Sequence, residues 1–131
     1  APEARETGTL TAHSSGGLSL FQGDFFKLKQ ENIDVVDLVY DRAALVALPW
    51  DMRADYAKQL RALTGNAQQL LISYDYNQSD LNGPPFSVVE AEIVAHYGQS
   101  YTLAKLTSQD IRGALAARVS GHEQVWQLAH K

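Results

Sequence analysis

The sequence predicts an α/β fold in which strands alternate with helices along the chain. Short apolar runs rich in β-branched residues recur, and segments whose apolar residues repeat at helical spacing lie between them. This alternation is typical of a parallel or mostly parallel sheet covered by helices. With 131 residues, of which 45% are hydrophobic, the chain can bury a core, and we expect a single domain over residues 1–131.

The first strands are predicted in the N-terminal third of the chain. Residues 9–12 and 18–21 alternate apolar and polar side chains on either side of SSGG at 14–17, which is a hairpin signature. Residues 35–40 are nearly all apolar and β-branched. They predict a parallel strand that is buried on both faces.

A helical turn and a first full helix are predicted next. Residues 43–48 are expected to form a short helical turn that Pro49 ends. Asp51 is then predicted to cap a helix, which ends at Gly65 and Asn66. The expected buried stripe of this helix consists of Met52, Tyr56, Leu60 and Leu63.

A second strand and helix follow. Residues 69–74 form the next predicted buried strand. Ser87 and Glu90 have the spacing of a capping box and predict a helix that Gly98 closes. The expected buried stripe of this second helix consists of Val89, Ile93, Val94 and Tyr97.

Two more strands are predicted near the C-terminus, at residues 101–106 and 125–129. A weaker helical segment, residues 111–119, lies between them. The two tryptophans, Trp50 and Trp126, are expected to pack in the core, with their N–H groups bound to local partners.

Composition excludes several classes of function. The formal net charge is -4 and the eleven Lys and Arg residues are scattered, which argues against a nucleic-acid partner. The absence of cysteine excludes disulfides, thiolate metal sites and cysteine nucleophiles. No membrane span is expected, because no apolar run approaches the roughly 20 residues it needs. No metal site is predicted, because the histidines lack the paired spacing of ligands: His13, His96, His122 and His130.

Polar side chains directly follow two of the predicted buried strands. YDRAALVALP occupies positions 40–49, and SYDY at 73–76 is followed by GPPFS at 83–87. In an open α/β sheet, ligands bind where the strands exit. Together with QGDFF at 22–26, these stretches resemble the C-terminal portion of the thiopurine S-methyltransferase family, especially its bacterial members. The resemblance extends from about residue 18 to residue 128.

The resemblance implies a class I methyltransferase fold with a Rossmann-like sheet, in which the last strand runs antiparallel and enters as a hairpin. It implies an enzyme that uses S-adenosyl-L-methionine to methylate the sulfur, or a related soft atom, of a small aromatic or heterocyclic acceptor. We also expect a cytoplasmic protein, because the absence of cysteine fits the cytosol, and a monomer at full length.

Three parts of the family pattern come earlier and are missing from these 131 residues: a helix with a Trp, a glycine-containing cofactor loop and an acidic residue for the ribose. We therefore expect an incomplete part of the enzyme, inactive alone, whose sheet lacks its central first strands. Strand 35–40 would have an open edge, which the hairpin at 9–21 or a second chain could cover, or which could self-associate. The alternative function is a non-catalytic binding or interaction module that retains part of the fold.

Arg42 is the candidate catalytic residue. Methyl transfer from a sulfonium to a sulfur nucleophile neutralises charge, so it requires alignment and a deprotonated acceptor more than a strong base. A cation at a strand exit can hold an anionic acceptor. The residues alone leave open whether Arg42 instead caps a helix or pairs with Asp41 or Asp75. The resemblance implies that Arg42 lies at both the cofactor and the acceptor.

Two further groups are candidate binding residues. The resemblance implies that Asp24 and Phe25 lie beside the adenine of the cofactor, although the same pair could be a turn Asp before a core Phe. Pro84, Pro85 and Phe86 are expected to wall the acceptor pocket, because prolines fix the loop and an aromatic ring can face a flat heterocycle. Alternatively, these residues only end a loop before the second helix.

Overall fold

The structure is a computed structural model in which residues 3–131 are described. The chain divides into two compact units, an N-terminal unit of residues 1–35 and a C-terminal unit of residues 36–131. The expectation of a single domain over residues 1–131 stays a prediction.

The N-terminal unit contains a three-stranded antiparallel sheet. Its strands pair in chain order and are β1 (Glu3–Thr7), β2 (Leu10–Ser15) and β3 (Leu18–Gln22). β2 and β3 confirm the predicted hairpin, and Gly16 and Gly17 take the left-handed φ angles of 51° and 72° that a tight hairpin turn requires. The sequence does not predict β1, because its side chains are polar and mostly exposed, without apolar alternation.

The C-terminal unit contains a four-stranded mixed sheet and two helices. Its strands are β4 (Leu38–Asp41), β5 (Gln68–Tyr76), β6 (Tyr101–Asp110) and β7 (Gly121–His130), and its helices are α1 (Trp50–Thr64) and α2 (Glu90–Tyr97). The strand order is β4-β5-β7-β6. β4 and β5 run parallel, whereas β7 is antiparallel to both β5 and β6. The last strand is therefore antiparallel and enters from a hairpin with β6, as predicted.

The ends of α1 differ from the prediction at one terminus and agree with it at the other. Pro49 is the N-cap residue, and Asp51 lies in the first turn without capping the helix, so that prediction is wrong. The cause is that Pro49 already takes the extended cap conformation, which starts the helix at Trp50. Gly65 ends the helix in the left-handed conformation with a φ of 61°, as predicted.

The start of α2 also differs from the prediction. Val89 is its N-cap residue, so Ser87 forms no capping box. The Ser87 hydroxyl accepts a hydrogen bond from the backbone N–H of Tyr76 at 3.0 Å and thereby ties the loop to β5 instead. Gly98 closes the helix as predicted, and its N–H donates to the Val94 carbonyl at 2.8 Å.

The third predicted helix is wrong. Residues 113–117 form a short 3-10 turn, and its first residue, Gly113, has a φ of 73°. A left-handed residue cannot be incorporated into a right-handed α-helix, so the apolar spacing around it produces only one turn.

The core of the C-terminal unit lies between the two helices and one face of the sheet. Its largest fully buried side chains include Tyr97, Tyr101, Leu71, Ile93 and Leu128. Trp126 is buried as predicted, and its indole N–H donates to the Ser73 hydroxyl at 3.0 Å. Trp50 is 71% exposed, so its predicted place in the core is wrong: it is the first residue of α1 and lies outside the buried stripe.

The other face of the sheet carries exposed apolar side chains, including Leu38 at 72% and Tyr40 at 61% exposure. The prediction of a buried strand over residues 35–40 is therefore wrong in two respects. The strand is exposed on one face, and it begins at Leu38 and not at residue 35. β4 lies at the edge of its sheet, where β5 is its one partner among the described strands.

Neither α1 nor α2 combines the length and the apolar character that crossing a membrane requires.

Candidate functional site

The candidate site lies where β4 and β5 end. Asp41, the last residue of β4, is buried, with 3% of its surface exposed. Its Oδ1 accepts a hydrogen bond from the backbone N–H of Leu45 at 3.2 Å, and its Oδ2 accepts one from the Tyr56 hydroxyl at 2.9 Å. The carboxylate thus joins β4 to the turn that follows it and to α1.

Burial raises the pKa of Asp41 above its usual range, and hydrogen bonds from Tyr56 and from the backbone of Leu45 and Ala44 act in the opposite direction. Burial also raises the pKa of Tyr56, and the nearby Asp41 charge adds to that shift. The Tyr56 hydroxyl therefore stays protonated and able to donate. Donors from two different elements therefore offset only part of the desolvation of the carboxylate.

Arg42 is the first residue after β4, and its guanidinium lies beside the side chain of Tyr40, which is on the opposite face of the strand from Asp41. It is exposed, and its guanidinium donates a hydrogen bond to the Tyr40 side chain, which is the main cause of the raised pKa of Arg42. Tyr74 and Glu123 contribute smaller electrostatic effects of the same sign. The guanidinium therefore remains charged at the strand exit.

The alternative that Arg42 is held in an ion pair has no support from the geometry. The ion pairs within residues 3–131 include none between Arg42 and either Asp41 or Asp75. The oxygens of Asp41 are engaged by Leu45 and Tyr56. The catalytic and cofactor-binding roles of Arg42 stay predictions.

A cavity of about 250 Å³ opens beside this strand exit. Its lining is mostly apolar and comes from the turn after β4, from β5 and from the proline loop: Ala43, Val46, Ala47, Tyr74, Pro84 and Pro85. The sequence predicts Pro84 and Pro85 as pocket walls, but it does not identify Tyr74. The signal that was available for Tyr74 is its place in SYDY, directly at the exit of β5.

The loop that carries the two prolines is attached at Phe86, and its backbone conformation requires glycine at position 83. The Phe86 backbone N–H donates to the Val46 carbonyl at 2.7 Å, which joins the loop to the turn after β4. Gly83 has a φ of 82°, and a Cβ atom there would lie 2.6 Å from the Phe86 ring. Only glycine satisfies both conditions, so the sequence GPPF is a local structural requirement as well as a candidate binding motif.

Phe86 does not line the same cavity as Pro84 and Pro85. It lines a second cavity of about 460 Å³. The other lining residues of this cavity are Pro49, Trp50, Arg53, Gln78, Asn82, Ser87 and Glu92. The structure therefore does not bring all three predicted acceptor residues to one cavity. The assignment of Phe86 to the acceptor stays a prediction.

The floor of the second cavity is a buried ion pair that sequence reasoning missed. The Arg53 guanidinium donates to both oxygens of Glu92, at 2.6 and 3.1 Å, and to the Leu48 carbonyl at 3.0 Å. It also lies 5.4 Å from the ring centre of Trp50 and 5.8 Å from that of Phe86. The available signal was the position of Arg53 on the buried face of α1, three residues before Tyr56.

Asp24 and Phe25 belong to the N-terminal unit. The Asp24 carboxylate accepts a hydrogen bond from the backbone N–H of Phe26 at 2.9 Å and caps a 3-10 turn over Phe25–Lys27. The rings of Phe25 and Phe26 pack edge to face at 5.8 Å. This is the turn arrangement of the structural alternative, and the binding of the cofactor by these residues stays a prediction.

Residues 3–131 contain no group of three or more His, Cys, Asp or Glu side chains that could hold a metal ion. The Arg42 cation and the apolar cavity are thus the chemically distinctive groups at the exits of β4 and β5. They suit an anionic or polarisable ligand with a flat apolar body.

Comparison with known proteins gives the family. The family description Thiopurine S-methyltransferase (TPMT) matches residues 1–131. This chain belongs to the thiopurine S-methyltransferase family. It is 46% identical over 127 residues to the thiopurine S-methyltransferase of Xanthobacter autotrophicus, and this alignment covers 97% of the chain and 60% of that relative.

A second family relative is similar over the same region. The chain is 43% identical over 128 residues to the thiopurine S-methyltransferase of Gluconobacter oxydans, which covers 98% of the chain and 58% of the relative. The chain therefore spans about 60% of the length of the curated relatives that it matches. The predicted family membership is confirmed.

The constraint on Gly83 can be measured. We expect Gly83→Ala to lower the free energy of unfolding by about 1–2 kcal/mol for the left-handed φ, and by roughly a further 1–3 kcal/mol for the contact with Phe86. Gly113→Ala is the matched control, because Gly113 has a φ of 73° but no atom within 4 Å of the added Cβ. Urea denaturation of the 131-residue chain measures both, and equal losses would contradict the close contact at Phe86.

The raised pKa of Asp41 predicts a pH dependence. The folded state favours the protonated carboxyl, so the contribution of Asp41 to stability is full below its unfolded pKa of 3.8 and is lost as the pH rises through the folded value. Relative to wild type, Asp41→Asn should therefore gain stability between about pH 4 and neutrality. Urea midpoints across this range test it, with Asp55→Asn on the exposed side of α1 as control. A constant difference between wild type and Asp41→Asn would contradict the prediction.

Proposed function

We propose that this chain is the acceptor-binding part of an S-adenosyl-L-methionine-dependent S-methyltransferase. Its substrate is a small aromatic or heterocyclic compound with a sulfur, or a related soft atom, as the methyl acceptor. The observation that carries the proposal is an apolar cavity walled by Pro84 and Pro85, whose lining also includes Ala43, the residue after Arg42, and Tyr74, with which the Arg42 cation interacts electrostatically. These groups come from three different segments and meet at the exits of two parallel strands.

The sheet supports a class I methyltransferase fold with a Rossmann-like sheet. In that fold the last strand is antiparallel and lies between two parallel strands at one side of the sheet. β7 has this arrangement between β5 and β6. The central first strands of such a sheet would continue from the open edge of β4, which is unpaired among the described residues.

Residues of each unit, taken separately, suit one group of the proposed cofactor. S-adenosyl-L-methionine would supply the methyl group from a sulfonium. The exposed Arg42 guanidinium suits the carboxylate of its amino-acid portion, since arginine forms planar charge-assisted hydrogen bonds with carboxylates. Phe25 has a half-buried aromatic ring, and Asp24 precedes it in a fixed turn, which suits contact with an adenine.

The acceptor chemistry follows from the charges. S-adenosyl-L-methionine would supply the methyl group to a thiolate of the acceptor, with the bond to the sulfonium sulfur breaking as the bond to the acceptor sulfur forms. Both formal charges would be lost in this transfer. An apolar cavity favours a reaction that loses charge, because separated ions are better solvated by water than by Val46 or Pro85. Arg42 would orient the acceptor anion, and no general base is required.

The alternative is a non-catalytic binding module. Such a module would need only a ligand cavity, and an apolar one lies among residues between Ala43 and Pro85. A module of this kind would bind an aromatic thiol without transferring a methyl group to it. Methyl transfer by a full-length protein that carries residues 1–131 distinguishes the two functions.

We expect Arg42→Ala, in a full-length protein that carries residues 1–131, to lower kcat/KM far more than it lowers stability. Loss of a charge-assisted contact at the reacting atoms lowers the rate by about 100-fold or more. Arg42→Lys should restore only part of the activity, because an ammonium cannot replace the planar guanidinium. Steady-state methylation of an aromatic thiol and thermal unfolding measure the two effects.

Arg118→Ala is the matched control, because it removes an exposed arginine from the segment between β6 and β7. It should leave kcat/KM unchanged. Normal turnover of Arg42→Ala, or loss of folding in place of loss of activity, would contradict the proposed role of Arg42.

A further inference from the structure

We infer that Asp41 is a positioning residue, whose buried carboxylate holds the turn of residues 41–45 so that Arg42 is presented beside the acceptor cavity. The inference rests on the proposed function, because it requires Arg42 to act on the acceptor. It assigns to Asp41 a role that a contact list of the cavity would not show, since Asp41 does not line the cavity.

The geometry of the Asp41 carboxylate supports this positioning role. One oxygen accepts from the Leu45 N–H, four residues on, and so closes the turn that contains Arg42. The other oxygen accepts from Tyr56 in the middle of α1. Leu45 itself is fully buried, which fixes the far end of the turn. The turn is thus fastened at both ends, and Arg42 lies between the two attachments.

The backbone inside this turn is strained. Ala43 has a φ of 66°, although alanine carries a Cβ that disfavours the left-handed region by about 1–2 kcal/mol. Such a conformation persists only where surrounding contacts determine it. The Asp41–Leu45 hydrogen bond spans Ala43 and supplies one such contact. Without it, the turn is expected to relax and to release Arg42 from its present direction.

The position of β4 at the edge of its sheet makes side-chain contacts important for holding it. Among the described strands, β5 alone pairs with it, so backbone hydrogen bonds hold it from one side. Alternation along β4 places Tyr40 on the opposite face of the strand from Asp41. Because the Arg42 guanidinium is hydrogen-bonded to the Tyr40 side chain, holding Asp41 toward the core also favours the present position of Arg42.

The same attachment extends to the cavity wall. Leu45 and Val46 are consecutive in a 3-10 turn, and the Val46 carbonyl accepts the Phe86 N–H at 2.7 Å. The loop with Pro84 and Pro85 is therefore joined to the turn that Asp41 closes. The turn closed by Asp41 therefore holds both Arg42 and the loop that forms the apolar wall of the cavity.

The test is a double-mutant cycle on a full-length protein that carries residues 1–131. Its members are wild type, Asp41→Ala, Arg42→Ala and the double variant. We expect Asp41→Ala to lower kcat/KM by about 10- to 100-fold, as misplacement of a reacting group does. The double variant should be no less active than Arg42→Ala alone, because Asp41 acts through Arg42.

Three further readouts separate positioning from a general loss of stability. Asp41→Asn should restore most of the activity, because its side chain is isosteric and its oxygen can accept from the Leu45 N–H. Amide hydrogen exchange at Leu45 should accelerate about tenfold or more in Asp41→Ala and stay near wild type in Asp41→Asn. The fall in thermal stability caused by Asp41→Ala should be equal with and without Arg42.

Independent, additive losses from Asp41→Ala and Arg42→Ala would overturn the inference while leaving the role of Arg42 intact. Normal activity of a folded Asp41→Ala would do the same. Normal activity of Arg42→Ala would overturn the proposed function and this inference together. If Asp41→Ala does not fold, Tyr56→Phe takes its place in the cycle, because it keeps the carboxylate and removes one of its donors.

Discussion

The buried carboxylate of Asp41 connects the parts of the C-terminal unit on which the site depends. It ends an edge strand, closes the following turn through Leu45 and reaches α1 through Tyr56. Burying a carboxylate is unfavourable by itself, as the raised pKa of Asp41 shows. Hydrogen bonds to a charged acceptor contribute about 1.5–3 kcal/mol each, so the two donors offset part of this cost and hold the carboxylate in a fixed geometry.

The loop from Gly83 to Phe86 divides the surface beyond the strand exits into two cavities of different character. One is apolar and is lined by Ala43, the residue after the Arg42 cation, and by Tyr74, which interacts with that cation; this setting suits a reaction that consumes charge. The other is floored by the Arg53–Glu92 ion pair, whose hydrogen-bonding groups are already satisfied within the protein. This difference in free charge favours the first cavity as the place where an anionic acceptor is held.

Sequence reasoning succeeded where one local rule decides the structure. Gly65 and Gly98 end their helices, β5 contains the predicted apolar run, and the hairpin turn lies at Gly16 and Gly17. It failed where tertiary contacts decide. Ser87 has the right spacing for a helix cap, but its hydroxyl binds the β5 backbone. The charge of Arg42 could be predicted from its motif, whereas the Asp41–Tyr56 contact joins positions fifteen residues apart and has no local signal.

The central claim is that the acceptor lies between Arg42 and the two prolines. The most direct measurement is a crystal structure of a full-length protein that carries residues 1–131, bound to S-adenosylhomocysteine and a heterocyclic thiol. The claim predicts the acceptor sulfur within about 4–6 Å of the Arg42 guanidinium, the range over which opposite charges interact strongly, with its ring against Pro84 and Pro85. An acceptor bound instead between Trp50 and Phe86, with Arg42 turned away from it, would contradict the claim.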